Sequence, residues 1–377
     1  MKTQNLLLPI TAIFSIQSTT YSLQIGPLLS TCIDACERGC MAIRDVQAAR
    51  IANRNGNENT EKSTFKVEYK DLNDPKSALT EADCASQMQI VSSLRLTWEN
   101  EKDEENEIFR IVGEEDENTD EEAILAFIRD KENNKPLKKD RFDDELGQDT
   151  PDLNPASITV FIDPLDGTRE FVEERLENCQ VLVGIAIDGE AVAGAVGIPF
   201  PAGDLSADPT VVYGIADYGT GVIGTPLTRG PFPLDRHIDG IKFPRPHHAT
   251  SDADIPVMVA CRKKAIERFG GSNVIYGGAG NKILAASLGE VACTIQHKIG
   301  GPWDLCAPEA ILKAMGGKMT DFFGEKIAIY RDDAPPRCNE RGYLATPPGS
   351  EELFHEALAA AMNSLPEVQQ YKEEISS

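Results

Sequence analysis

The hexapeptide 163–168, with the sequence DPLDGT, combines residue types that can bind a metal ion and a phosphate group. It begins at the last residue of the run 157–163 (SITVFID), whose apolar and β-branched residues are typical of a strand covered on both faces. Pro164 restricts the backbone and Gly167 permits a sharp turn, so both aspartates and the Leu165 carbonyl can converge on one point. Because hard divalent cations prefer such oxygen ligands, the hexapeptide indicates a metal site.

The residues that follow indicate anion binding. The stretch 168–176 looks helical, which places the backbone amides of Gly167 and Thr168 at a helix N-terminus, where a phosphate group binds well. An alternative interpretation is that Asp166 and Thr168 serve only as turn and N-cap residues, which is common for these residue types.

Three other stretches place acidic residues at the ends of predicted elements. The segment 113–116 (GEED) follows the strand-like run 108–112, Asp304 precedes a helix, and Asp83 lies near the start of another helix. Taken singly, these acids are explained as a solvated loop start, a helix cap and a surface acid. Their combination with the hexapeptide favours a shared metal site.

Four motifs, DPLDGTREF, GEED, LTEAD at 79–83 and WDLCAPEAILKAMGG at 303–317, resemble the magnesium-dependent, lithium-inhibited phosphatase family. This family includes inositol monophosphatases, inositol polyphosphate 1-phosphatases and 3′(2′),5′-bisphosphate nucleotidases. The resemblance covers residues 25–346. It implies a layered αβαβα sandwich of the sugar-phosphatase type, in which two packed subdomains meet at the metal site.

The resemblance also implies residue roles. The metal ligands would hold two or three Mg²⁺ ions, and they are Glu114, Glu115, Asp163, the Leu165 carbonyl, Asp166 and Asp304. Asp163 would bridge two ions, Glu115 would act through water, and Thr168 paired with Asp83 would orient and deprotonate the attacking water. The residues predicted to contact substrate are Gly167, Thr168, Arg262, Lys263, Gly278 and Lys282.

Within the family, three segments resemble the bisphosphate nucleotidases: GGAGNK at 277–282, CAPE at 306–309 and ENCQVLVGIAIDGEAVAGAV at 177–196. In GGAGNK, backbone amides can approach an anion and Lys282 supplies a point charge. A glycine-rich turn with a surface lysine is the alternative. The segment 261–264 (CRKK) departs from the serine- and histidine-containing segment that usually meets the second phosphate, although it preserves positive charge.

We therefore expect a phosphomonoesterase that removes the 3′-phosphate of 3′-phosphoadenosine 5′-phosphate, or of 3′-phosphoadenylyl sulfate. The alternatives are an inositol polyphosphate 1-phosphatase, an inositol monophosphatase, a sugar bisphosphatase and a catalytically silent metal-binding scaffold. The resemblance implies inhibition by lithium and a place in sulfur or phosphatidylinositol phosphate metabolism.

Composition limits the partners. The chain carries 61 acidic and 37 basic residues, a formal net charge of −24, which argues against binding a nucleic acid polymer or an anionic membrane surface. The expected partner is a small anionic phosphorylated metabolite, which needs metal ions or a local basic pocket.

Nine cysteines lack paired C-x-x-C spacing, and Cys32, Cys36 and Cys40 share a helix face as apolar packing residues. The sequence predicts no oligomeric state.

Apolar periodicity predicts alternating helices and strands. Besides 168–176, the predicted helices are 25–49, 81–98, 119–131, 282–288 and 307–315, and the predicted strands are 108–112, 157–163, 181–187, 191–196, 257–260 and 291–295. The domains follow as an N-terminal α+β subdomain with most metal ligands (23–205), a C-terminal α/β subdomain that completes the site (206–360) and a polar tail (361–377), which is expected to be frayed after Leu365.

Residues 1–22 resemble a cleavable leader, because Lys2 precedes the apolar run 6–16 and small polar residues follow. The run is too short to span a bilayer as a helix, and no later segment predicts a stable membrane span. A leader suggests the secretory pathway or an organelle. The alternative is the start of the first domain helix in a cytoplasmic protein.

Overall fold

The computed structural model describes residues 23–55, 67–69, 78–98, 108–130, 132, 134–141, 152–227, 236–238, 241–243, 247–250, 255–298, 300–331, 340–350 and 352–376. The predicted leader at 1–22 lies outside these residues. Among the helices of the described ranges, none has the length and apolar character needed to cross a membrane.

The described strands are β1 (Leu23–Gln24), β2 (Val67–Tyr69), β3 (Ala78–Thr80), β4 (Arg110–Gly113), β5 (Asp152–Leu153), β6 (Ile158–Asp166), β7 (Gln180–Ile187), β8 (Glu190–Ile198), β9 (Thr210–Ile215), β10 (Gly219–Gly224), β11 (Arg236–Ile238), β12 (Ile241–Phe243), β13 (His247–Thr250), β14 (Ser272–Ile275), β15 (Cys293–Gln296), β16 (Lys318–Thr320) and β17 (Tyr343–Thr346). The described helices are α1 (Ile25–Asn55), α2 (Glu81–Trp98), α3 (Glu121–Arg129), α4 (Thr168–Val172), α5 (Pro256–Phe269), α6 (Ala279–Ser287), α7 (Cys306–Ala314), α8 (Glu352–Asn363) and α9 (Pro366–Glu374).

Two larger sheets carry the fold. The six-stranded sheet has the order β10-β9-β8-β7-β6-β4 and is antiparallel except for the parallel pair β4–β6. The five-stranded sheet has the order β14-β13-β15-β17-β16. The predicted boundary at residue 205 stays a proposal, and the six-stranded sheet continues beyond it to Gly224.

The helices form layers around these sheets. Helices α1 and α2 pack on one face of the six-stranded sheet, and α6 and α7 lie between the two sheets. Along β17, Tyr343 and Ala345 join the core formed with α6 and α7, whereas Leu344 joins the core under α5 and α8. The alternation shows that β17 is covered on both faces. The layered αβαβα sandwich predicted from the sequence is confirmed.

The first helix follows its predicted pattern. Leu28, Leu29 and Ile33 are fully buried, and so are the thiols of Cys36 and Cys40, which are free cysteines. A Cβ atom added to Gly197 on β8 would lie 2.4 Å from the Cys40 sulfur, so α1 rests directly on the sheet backbone.

Two sequence predictions are wrong. Residues 257–260 are part of α5 and not a strand, because Pro256 starts a helix whose buried side chains recur with helical spacing at Val257, Cys261 and Ala265. The tail is also not frayed: α9 buries Val368, and the Tyr371 hydroxyl donates to the His297 carbonyl at 3.0 Å. These two contacts hold the polar helix α9 against the rest of the protein.

Helix α7 packs on the backbone of β7 so closely that Gly184 has no room for a side chain. A Cβ atom there would lie 2.5 Å from the Ala307 nitrogen and 2.6 Å from the Cys306 Cβ. We predict that Gly184→Ala lowers the free energy of unfolding in urea by about 1–3 kcal/mol, the usual cost of overpacking. The control is Gly26→Ala in α1, where nothing lies within 4 Å of the added atom and a gain of up to about 1 kcal/mol is expected. Equal destabilisation by both substitutions would contradict this packing.

Candidate active site

Two aspartates of β6 lie at one edge of the six-stranded sheet. Asp163 and Asp166 lie opposite Leu182 and Gln180 of β7, and the register shifts between them. Such an irregularity bends the strand locally and re-aims its side chains. The neighbouring parallel strand β4 ends at the same edge, where the amide of Glu114 donates to the Ile162 carbonyl at 2.9 Å. Acids from two strands therefore meet at this edge.

A third aspartate belongs to the turn before α7, which lies between the two sheets. Asp304 ends a short 3₁₀ turn, Pro302–Asp304, and its Oδ2 accepts from the Gly301 amide at 2.7 Å. Side-chain oxygens of Asp163, Asp166 and Asp304 all lie within 4.8 Å of one another. Among the described residues, this is the group of acids whose spacing suits a shared cation.

Burial and mutual repulsion raise the pKa values of these acids. Burial, together with the charges of Glu114 and Asp166, raises the pKa of Asp304 to about 8. Burial and the neighbouring carboxylates also raise the pKa of Asp163 well above its usual range. Burial raises the pKa of Asp166, and the charge of Lys282 opposes that rise. A divalent cation would relieve this repulsion, so the donor set fits a metal ion bound by oxygen.

The glycine-rich segment binds Asp166 directly. The amides of Ala279 and Gly280 donate to its Oδ1 and Oδ2 at 2.9 and 2.8 Å. Gly278 has a φ of 75°, and a Cβ atom there would lie 2.6 Å from Asp166 Oδ2. The anion that these amides approach is thus a carboxylate of the protein itself.

Lys282 is buried rather than displayed on the surface. Its ammonium donates to the carbonyls of Tyr276 at 3.1 Å and Gly278 at 2.7 Å. Only 4% of the residue is exposed. Lys282 therefore fixes the shape of the glycine-rich turn and supplies positive charge close to Asp166.

A hydroxyl–carboxylate pair lies beside the aspartates. The Thr168 hydroxyl is 2.8 Å from Asp83 Oδ1 and 3.1 Å from the Leu165 carbonyl. The other carboxylate oxygen of Asp83 accepts from the Thr80 amide and hydroxyl at 2.8 and 2.6 Å. Burial raises the pKa of Asp83 to about 7, although the hydrogen bonds from Thr80 and Thr168 oppose the rise. An ionised Asp83 would leave a lone pair of Thr168 Oγ1 to accept a proton.

A cavity of about 430 Å³ collects most of the predicted site residues. Those that line it are Glu114, Asp163, Leu165, Asp166, Gly167, Thr168, Gly278, Lys282 and Asp304. Asp83 lies behind Thr168. Glu115 is buried beside Asn118, whose side-chain amide donates to it at 2.8 Å, and its charge contributes to the raised pKa of Asp83.

The structure does not bring Arg262 and Lys263 to this cavity. Both residues lie on α5, and Lys263 lines a separate surface depression and forms an ion pair with Glu267 at 3.8 Å. The physical reason is the helix itself: a strand ending at residue 260 would have placed the following cations in a loop, whereas α5 continues through them. Their predicted contact with substrate has no support in this geometry.

Sequence reasoning missed a polar wall of the cavity. Arg175 Nε and Nη2 donate to the two oxygens of Glu170 at 2.6 and 2.7 Å, and the Asn178 side chain donates to Glu170 at 3.0 Å. The helix predicted over 168–176 ends at Val172, and Glu174 adopts a φ of 62°, which returns Arg175 towards Glu170. Because helical ion pairs are spaced by three or four residues, the five-residue spacing of this pair gave no signal.

Residues 39–367 match the inositol monophosphatase family. The chain is 33% identical to human 3′(2′),5′-bisphosphate nucleotidase 1 over 275 residues, which cover 71% of this chain and 78% of that protein. It is 29% identical to the Dictyostelium discoideum protein of the same name over 336 residues, covering 86% and 94%.

The fold is similar to that of a solved structure of extragenic suppressor protein suhB from Bartonella henselae. The TM-score is 0.57 at 14% sequence identity, and the match covers 89% of this chain and 97% of that one. The family is generally metal-dependent, in agreement with the clustered carboxylates described above. From the extent of the family match and the identity to its curated members, the chain belongs to the inositol monophosphatase family.

Proposed function

We propose that the protein is a Mg²⁺-dependent phosphatase that hydrolyses the 3′-phosphate of 3′-phosphoadenosine 5′-phosphate and yields AMP and phosphate. The observation that carries the proposal is the convergence of Asp163, Asp166 and Asp304 beside the Thr168–Asp83 pair. The substrate is supported by relatives whose names refer to bisphosphate nucleotides. Those names do not refer to 3′-phosphoadenylyl sulfate, which stays a secondary expectation, as does inhibition by lithium.

The donor set supports magnesium. Carboxylate and carbonyl oxygens are the ligands that Mg²⁺ prefers, and no sulfur or imidazole is among the predicted ligands. We propose that Glu114, Asp163 and the Leu165 carbonyl hold one ion, and that Asp163, Asp166 and Asp304 hold another. Glu115 would act through water. When bound, the ions supply positive charge for the phosphoryl oxygens and lower the pKa of water.

The protein residues would then act as follows. Thr168 Oγ1 accepts a proton from the attacking water while its own proton passes to Asp83 Oδ1, 2.8 Å away. The water oxygen attacks phosphorus, the bond from phosphorus to the ribose 3′-oxygen breaks on the opposite side, and the released 3′-oxygen takes a proton from solvent water while Asp83 later returns its proton to solvent. The amides of Gly167 and Thr168 are proposed to donate to phosphoryl oxygens. Asp83 acts through Thr168, because it does not itself line the cavity.

The substrate assignment can be tested with a panel of phosphate esters. We expect purified protein with Mg²⁺ to release phosphate from 3′-phosphoadenosine 5′-phosphate with a kcat/KM at least tenfold above those for inositol 1-phosphate, inositol 1,4-bisphosphate and fructose 1,6-bisphosphate. A preference of that order corresponds to about 1.4 kcal/mol in the transition state. A preference for an inositol or sugar phosphate would move the protein to another branch of its family, and metal binding without any turnover would favour the scaffold alternative.

The crowding of the acids predicts the pH dependence of stability in the metal-free protein. An aspartate whose pKa rises on folding to about 8, as for Asp304, binds a proton in the folded state that the unfolded chain releases. The free energy of unfolding of the metal-free protein therefore falls as the pH rises from about 4 to 8. We predict that the Tm in EDTA falls over this range, and that Mg²⁺ raises the Tm more at pH 8 than at pH 5.

The matched variants for this measurement are Asp163→Asn and Asp188→Asn. Asp163→Asn removes one buried repelling charge, so at pH 8 it should raise the Tm of the metal-free protein and reduce the response to Mg²⁺. Asp188 is an exposed turn residue, and its variant should respond to Mg²⁺ as the wild type does. Identical Mg²⁺ responses of all three proteins would contradict a cation site at Asp163.

The proton path through Thr168 predicts distinct effects of two substitutions. Thr168→Val removes the hydroxyl and should lower kcat by about 10²–10⁴-fold, the usual contribution of general base catalysis, with a much smaller change in KM. Thr168→Ser keeps the hydroxyl and should retain kcat within about tenfold. Steady-state kinetics at saturating Mg²⁺ measures both. A valine variant as active as the serine variant would exclude the hydroxyl from the proton path.

A further inference from the structure

Ile275 is the most exposed large apolar side chain in the described part of the chain, at 65%. It is the last residue of β14, which is an edge strand of the five-stranded sheet. Isolated apolar residues on a surface are ordinary. Ile275 differs from the other exposed large apolar residues of the described ranges because it alone among them lines the cavity that contains Asp163.

The lining of that cavity is divided by chemistry. Its floor consists of the aspartates, and one wall consists of charged and amide side chains that include Glu170, Arg175 and Asn178. Ile275 and Tyr276 line the same cavity beside the glycine-rich turn, and Ile275 is the exposed apolar side chain of the two. With the proposed cations bound to the aspartates, a ligand that fills the cavity would suit the site if it had anionic groups at the floor and an apolar group near β14.

The apolar side is fixed relative to the aspartates. The Tyr276 carbonyl accepts from the Lys282 ammonium at 3.1 Å, and its amide donates to the Thr250 carbonyl at 3.4 Å. Next to it, Gly277 lies so close to the Glu170 carboxyl that an added Cβ atom would be 2.2 Å from Glu170 Cδ. The end of β14 therefore packs against α4, the helix that follows Asp166 and contains Glu170. These contacts fix the distance between Ile275 and the aspartates.

We infer that Ile275, with Tyr276 beside it, is the contact surface for the nucleobase of the substrate and makes the protein select a nucleotide over a phosphorylated polyol. This inference rests on the proposed function. A purine has two apolar faces that can lie on an aliphatic or aromatic side chain, whereas a polyol phosphate has no apolar face of that size. Contact with a base would remove the exposed Ile275 surface from water.

The test compares Ile275→Ser with the wild type. Because Ile275 is exposed, the serine should not affect folding. We expect the KM for 3′-phosphoadenosine 5′-phosphate to rise about five- to tenfold, the lower end of the loss found when an aromatic side chain stacked on a base is truncated. The kcat should stay within about twofold, and so should the inhibition constant of inorganic phosphate, because phosphate has no base. Ile275→Phe keeps an apolar face and should keep a low KM.

The control is Val222→Ser, which removes an apolar side chain that is 46% exposed on β10 and does not line the cavity. It should change neither constant. An unchanged KM in Ile275→Ser, or an equal weakening of nucleotide and phosphate binding, would overturn the base contact while the proposed function stands. If the wild type failed to hydrolyse the nucleotide at all, both the proposed function and this inference would be overturned.

Discussion

The repulsion between buried carboxylates at the end of β6 is the constraint on which the rest of the site depends. Each acid of the cluster is held by a backbone amide that belongs to a different turn. Leu165 donates to Asp163, Ala279 and Gly280 donate to Asp166, and Gly301 donates to Asp304. These hydrogen bonds hold like charges together at distances that side chains free to rotate would avoid. The protein thus holds carboxylates together against their mutual repulsion, and a bound cation would neutralise their charge.

The layers of the fold supply those amides. The start of α6 and the turn before α7 both lie between the two sheets, so each can reach the edge where β4 and β6 end. Close contact between α7 and the glycines of β7 and β8 keeps the middle layer near the strand that carries the aspartates. A side chain at Gly184 or Gly194 would push this layer away. The small residues of the sheet are therefore part of what positions the acids.

The sequence was most informative where chemistry and local structure coincide. The DPLDGT motif predicted the end of β6, and the resemblance of four motifs to the phosphatase family predicted the layers. It was least informative where a contact joins distant residues without a characteristic spacing. The Glu170–Arg175 pair depends on the positive φ of Glu174, which nothing in its residue type indicates. The run at 257–260 was short enough to fit either a strand or a helix, and the structure makes it part of α5.

The bonds from α6 to Asp166 also bear on how the chain reaches its folded state. The first turn of α6 is closed by a carboxylate 113 residues earlier in the chain, and not by a neighbouring serine or asparagine. Its N-terminus therefore gains its cap only after two remote segments have met, at the entropic cost of closing a long loop. The segments that carry β6 and α6 are consequently linked in folding, and an acid of the candidate metal site is also one of the residues that join them.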